Sequence, residues 1–227
     1  MYIDKTAVVS NEEIKNGVYL IKVKSASIAS TALPGQFCNI KVSETNFPLL
    51  RRPFSICDVE DDIVSFMFDI HGEGTKILSH KKVGEELDLL GPLGKGFDFT
   101  GDYDTAVIIA GGLGSAPFPF LLKKLPTDKK QICFVGGRSK NFVITYSMKN
   151  FLTATDDGSD GFKGTVVSLF ENEVNKMSGN KIRVFACGPN PMLKALQDLT
   201  NKKNIDCQIS VETAMACGFG ICQGCPI

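Results

Sequence analysis

Several absences narrow what this 227-residue chain can be before its motifs do. Neither charge is in excess, since Lys+Arg and Asp+Glu both count 25. Without a basic surplus there is no face to neutralise a phosphate backbone, which argues against a nucleic-acid partner. No apolar run approaches the roughly 18 residues of a membrane span, and the opening Met1-Tyr2-Ile3-Asp4-Lys5 carries no apolar leader core. A cytoplasmic protein with no membrane partner is expected. The only histidines, His71 and His80, are too few and too local for a histidine-built metal site, so solvated or helix-edge roles are their default. Internal repeats and low-complexity stretches are missing as well; Asp156 to Gly161 reads as an exposed loop.

Cysteine is not scarce. There are eight, and a cytosolic chain is not expected to tie them into disulfides. Cys38, Cys57 and Cys133 each lie alone in an apolar, strand-like run and read as buried free thiols, with Cys207 read the same way. Three others crowd into the last eleven residues and need a chemical reason. The bulk composition, 43% hydrophobic and 22% charged, is that of a globular chain long enough to bury one large core or two smaller ones.

Residues 1–100 read as short strands: Thr6 to Ser10, Val18 to Lys24, Phe37 to Val42, Phe54 to Asp58 and Ile63 to Ile70. They are rich in β-branched and aromatic residues and are punctuated by Gly17, Pro34-Gly35 and Glu60-Asp61-Asp62. One helical stretch, Thr75 to His80, follows Gly72 and Gly74. This spacing predicts a small antiparallel β-barrel. Near Gly101 the texture changes. Apolar runs at Thr105 to Ala110, Gln131 to Val135 and Lys181 to Ala186 alternate with helical patterns at Phe118 to Leu125, Ser147 to Leu152, Val166 to Asn175 and Pro191 to Lys202. Such alternation predicts a parallel sheet flanked by helices over residues 101–208, leaving 209–227 as a separate cysteine-bearing segment.

Four motifs carry chemistry. In Arg51-Arg52-Pro53-Phe54-Ser55, with Gly74-Thr75 opening a helix some twenty residues later, Arg52 offers a planar fork of donors to a flavin dinucleotide pyrophosphate. The helix start adds backbone N–H groups, and Ser55 is short enough to hydrogen-bond the ring system. A surface Arg pair before a Pro-initiated strand is the bland alternative. Gly111-Gly112-Leu113-Gly114 follows an apolar strand and precedes a helix, where glycines let backbone approach phosphate; a merely tight turn is the alternative. Cys187-Gly188-Pro189 also sits at a strand end before a helix, so Cys187 would border a nicotinamide ring, or else be a structural cysteine. The sharpest motif is Cys217-x4-Cys222-x2-Cys225 with interleaved glycines, the plant-type [2Fe–2S] spacing, which requires one further cysteine downstream. Zinc is the rival, but its Cys-x2-Cys pairs usually come twice. No fourth cysteine follows, so truncation, a substitute such as Cys187 or Cys207, or the absence of a stable cluster all stay open.

Taken in order, these motifs resemble the ferredoxin–NADP reductase superfamily, and within it the electron-transfer subunits of type B dihydroorotate dehydrogenase. The resemblance spans essentially the whole chain and is most telling from Glu212 to Cys225. It implies a barrel that holds FAD through Arg52, Pro53, Phe54, Ser55, Met67, Phe68, Asp69, Gly74 and Thr75. It implies an α/β domain holding NAD through Gly111, Gly112, Gly114, Cys187, Gly188 and Pro189, and a [2Fe–2S] cluster on Cys217, Cys222 and Cys225. The implied partner is an FMN-containing dihydroorotate dehydrogenase catalytic subunit, two of each chain forming a heterotetramer. Electrons from dihydroorotate, released in pyrimidine (UMP) biosynthesis, would pass through the cluster and FAD to NAD⁺. Two other readings remain: a flavin subunit of a hydrogenase or NAD(P)H–ferredoxin oxidoreductase, and a non-catalytic zinc module. Arg138-Ser139-Lys140, after a strand, either meets an adenosine 2′-phosphate, favouring NADP, or is simply exposed.

Overall fold

The structure is a computed structural model that describes residues 1–177, 179 and 181–225. Its contacts divide the chain into two compact units, Met1–Gly96 together with the segment from Glu212 onward, and Phe97–Val211.

The first unit is a closed antiparallel barrel of six strands: β1 (Tyr2–Lys15), β2 (Val18–Lys24), β3 (Phe37–Lys41), β4 (Arg52–Glu60), β5 (Ile63–Asp69) and β6 (Glu86–Leu93). Around the barrel they run β1-β2-β5-β4-β3-β6, and β6 pairs back onto β1 to close it. Its interior is built from β-branched and aromatic side chains, among them Ile21, Val23, Ile40, Ile56, Val64 and Phe66, all at 0% exposure. Phe68 packs against Tyr19 and Phe54, with ring centroids 5.6 and 5.7 Å away. Two short helices interrupt the strands, α1 (Ala26–Ala29) and α2 (Glu73–Ser79). At the end of α2, His80 lies 2.7 Å through Nδ1 from the Lys76 carbonyl, a helix-edge role.

In the second unit the strands are parallel, in the order β10-β9-β8-β7-β11-β12. They are β7 (Thr105–Gly111), β8 (Lys130–Gly137), β9 (Phe151–Thr155), β10 (Phe162–Lys163), β11 (Ile182–Cys187) and β12 (Asp206–Ser210). The period-2 alternation of β7 sorts its residues between two cores. Val107 and Ile109 face one, where α4 (Val166–Val174) contributes Phe170 and α5 (Asn190–Lys203) contributes Leu193, Leu196 and Leu199. Ala106, Ile108 and Ala110 face the other, with Phe118 and Leu121 of α3 (Phe118–Lys124). Burial on both faces is why β7 reads as an unbroken apolar run. Thr165 caps α4 through a 3.1 Å bond accepted from the Ser168 N–H, and Asn204 ends α5 in the left-handed conformation.

The helix expected over Ser147 to Leu152 does not form. Ser147 and Asn150 take positive φ values of 55° and 50°, which a helix cannot accommodate, and the next five residues enter the sheet as β9. Among the described residues, no helix is long and apolar enough to cross a membrane.

Candidate cofactor sites

In the barrel, the ladder between β4 and β5 pairs Ile56–Glu60 with Ile63–Phe66 and then stops. Beyond it, Arg52–Ser55 continue only along β3, and Met67–Asp69 only along β2. The two expected flavin segments therefore flank the same parting of strands. Met67 and Phe68 are 2% and 1% exposed, so any ligand there meets their main chain rather than their side chains. Phe54 is likewise turned into the core, while Pro53 is exposed and Ser55 half-buried.

Arg51 and Arg52 divide their work. Arg51 donates to the Asp88 carbonyl and carboxylate of β6, both at 2.7 Å, tying the strand entry to the barrel wall. Arg52 instead donates to the Leu50 carbonyl and lays its guanidinium on the first turn of α2. A methyl group on Gly74 would stand 2.6 Å from Arg52 Nε and would push the guanidinium off this turn. Thr75 uses its hydroxyl locally, accepting from the His71 and Gly72 N–H groups at 2.8 and 3.1 Å. The result is a guanidinium held against the first turn of α2, a charged donor that suits a pyrophosphate.

The glycine turn after β7 and the Cys187-Gly188-Pro189 turn after β11 lie side by side. Cys187 pairs with Ala110 across the adjacent strand ends. A Cβ on Gly111 would meet Met192 Sδ at 2.7 Å and Pro189 Cδ at 2.9 Å, and one on Gly114 would overlap the Cys187 carbonyl. These two glycines thus allow the turns to touch. Gly112 differs: its φ is +56° and a Cβ would find nothing within 4 Å, leaving open space above the strand end. From β7 the sheet grows in both directions, β8 to one side and β11 to the other, and this switch point is where open parallel sheets take ligands. Cys187 itself is 1% exposed and packs with the α3 core at this strand end. The Arg138 guanidinium lies over the Phe142 ring at 5.6 Å.

In the terminal loop, Gly218 and Gly220 take φ values of +76° and +86° and turn successive N–H groups inward, a nest for an anion. Cys217 occupies it. Hydrogen bonds from the Cys222 backbone, then the Phe219 backbone, the Cys222 side chain and the Gly220 backbone hold its thiol down to about 6. A stabilised thiolate ringed by N–H donors is the chemistry that an iron–sulfur sulfur ligand requires. Among the described residues, no three His, Cys, Asp or Glu side chains converge tightly enough to hold a metal ion, so Cys225 is not drawn into a group with the other two.

No family model matches the chain. Individual relatives do. A protein of Caldanaerobacter subterraneus subsp. tengcongensis is 38% identical over 223 residues, 97% of this chain and 86% of the relative. One of Bacillus pumilus is 39% identical over 227 residues, covering 96% and 86%. One of Fusobacterium nucleatum is 36% identical over 238 residues, covering 99% and 89%. All three are named dihydroorotate dehydrogenase B (NAD⁺), electron transfer subunit. The chain belongs to that family. A dihydroorotate dehydrogenase B electron-transfer subunit is part of an oxidoreductase, and its name presupposes a catalytic partner subunit. Solved structures agree on the fold. The structure of an NADH-dependent reduced ferredoxin–NADP oxidoreductase, described for flavin-based electron bifurcation, superposes with a TM-score of 0.84 at 25% identity, over 96% of this chain and 79% of that one. A ferredoxin NADP⁺ reductase of Neisseria gonorrhoeae gives 0.72 at 14%, covering 92% and 99%. The architecture is thus the ferredoxin–NADP reductase fold, barrel and parallel sheet included.

Sequence reasoning did not single out Asp88, Leu50 or Asn39. The first two act on the arginine pair through space. Asn39 had a local signal, an amide between Cys38 and Ile40 in an otherwise apolar strand, and it is 1% exposed.

Proposed function

We propose that the chain takes electrons from dihydroorotate oxidation in an FMN-containing catalytic subunit and delivers them to NAD⁺, in pyrimidine biosynthesis. The single observation that carries this reading is the family membership, with relatives named for that reaction over nearly the full chain. Bound FAD would exchange single electrons for a hydride, and a bound [2Fe–2S] cluster would relay electrons one at a time.

The chain's own residues would supply binding and orientation. Arg52 would neutralise the FAD pyrophosphate beside Gly74-Thr75, supported by its placement on the α2 turn. Pro53, Phe54 and Ser55 would line the parted strand end together with the main chain of Met67, Phe68 and Asp69. Gly111, Gly112 and Gly114 with Gly188 and Pro189 would shape the NAD site, and Cys187, at the end of β11, would border the nicotinamide. The relatives' name, with NAD⁺ in it, favours NAD over a 2′-phosphorylated cofactor. Cys217, Cys222 and Cys225 would be cluster ligands, Cys217 already in a thiolate-stabilising nest. The residues are best described as an FAD barrel over 1–100, an NAD domain over 101–208 and a cluster segment from 209. A heterotetramer of two catalytic and two electron-transfer subunits, working in the cytoplasm where thiols stay reduced, completes the proposal.

Reconstitution tests it. The purified chain, mixed with its FMN-containing catalytic subunit, should support NAD⁺ reduction by dihydroorotate that neither subunit supports alone. A mixture that reduces ferredoxin but not NAD⁺ would favour a different oxidoreductase.

A further inference from the structure

Resting on the cluster reading above, we infer that Asn39 is a positioning residue for the iron–sulfur loop, its carboxamide holding the first cysteine of the motif against the barrel. Asn39 lies in the middle of β3, paired with Pro53 on one side and Leu90 on the other. Although polar, it is 1% exposed. Its Nδ2 donates to the Cys217 carbonyl at 3.1 Å, a bond spanning 178 residues of sequence. That carbonyl can only accept, so the amide must present its NH₂ to it. In doing so it leaves Oδ1 buried with no partner among the described residues. A side chain placed only to satisfy itself would not accept that imbalance, since an unmet buried acceptor is unfavourable. The next residue makes the same point from the loop's side. Gly218 sits against the Asn39 amide, and a Cβ there would stand 2.3 Å from Asn39 Nδ2 and 3.4 Å from Leu93 Cδ1. Thus the left-handed turn that aims N–H groups at the Cys217 sulfur is seated on Asn39.

The functional consequence concerns the metal group rather than the barrel. Groups that orient a ligand without touching the metal tune its hold on the metal, and removing them typically costs about 10- to 100-fold in affinity. Asn39→Leu deletes the donor and also the unmet acceptor while keeping the side chain's bulk, so the barrel has no reason to unfold. Gly218→Ala keeps the Asn39 side chain but presses a methyl group against its amide, separating it from the Cys217 turn.

The test uses the full-length holoprotein carrying its FAD, in wild-type, N39L and G218A forms. Iron and sulfide per FAD are measured first, then the rate of iron loss to a ferrous chelator, and the EPR line shape after dithionite reduction. N39L is expected to lose iron about 10-fold faster than wild type, with an altered EPR line shape and unchanged FAD content. G218A should shift the same two readouts in the same direction. If N39L fails to retain FAD, G218A alone decides by those readouts. Wild-type rates and line shapes in the variant that retains FAD would overturn the role of Asn39. Wild-type protein lacking iron and sulfide altogether would instead sink the cluster reading on which it rests.

Discussion

Arg51 and Arg52 are neighbours with opposite fates, one just before β4 and the other its first residue. One side chain turns to the Asp88 carboxylate on β6 and the other to the start of α2. Arg52→Ala should therefore lower FAD retention about 10-fold or more, because the pyrophosphate loses charge-assisted hydrogen bonds. Arg51→Ala should keep FAD but lower stability by about 1 kcal/mol, since half-buried Asp88 loses its partner. FAD content after gel filtration and urea midpoints distinguish the two; equal flavin loss in both would undo the division. The isolated cysteines give a second residue-level expectation. Burial pushes the Cys38 and Cys133 thiols up to about 12, and burial, with a smaller push from Asp58, raises Cys57 further. At pH 8 the thiolate fraction at such sites is on the order of one in ten thousand. In the folded chain all three should resist thiol reagents until denaturant is added. Because the folded chain keeps protons here that the unfolded chain releases above about 9, these thiols also make stability fall as pH rises from 9 toward 12. Urea midpoints at pH 8 and 10 check the sign.

Elements were legible where periodicity and burial agreed. The strands β2, β3, β4, β5, β7, β8 and β11 all correspond to apolar or β-branched runs, and α4 and α5 to helical stripes capped by Thr165 and Asn204. Much of β1 beyond Thr6 to Ser10 was hidden because only Thr6 and Val8 of its fourteen residues are buried. β6 was hidden by leucines, which carry little strand preference of their own; neighbouring strands decide it. The helix expected over Ser147 to Leu152 took in the first two residues of β9, Phe151 and Leu152, because so short a stretch fits either period. The glycine motifs were readable as turns, yet their division of labour needed coordinates. Gly114→Ala should destabilise the second unit by about 1–3 kcal/mol, as the new methyl meets main chain that cannot yield. Gly112→Ala should cost about 1 kcal/mol, from φ strain alone. Thermal midpoints rank the two; the reverse order would refute the packing argument.

At the scale of the whole molecule, two architectures with separate cores carry two kinds of site. The barrel brings an arginine, parted strands and a cysteine nest into one unit, and the parallel sheet offers its switch point in the other. The cysteine spacing was visible in sequence, whereas the support beneath it, through Asn39 and 178 residues of intervening chain, was not. Balanced charge leaves recognition of a catalytic partner to shape and local chemistry rather than to a global field. The most direct measurement is an anaerobic titration of the isolated full-length holoprotein with NADH, followed by visible absorbance and EPR together. The account predicts that NADH bleaches a bound flavin and then brings up the signal of a reduced [2Fe–2S] cluster in the same protein. A flavin that NADH does not reduce, or a protein holding neither flavin nor iron and sulfide, would contradict it.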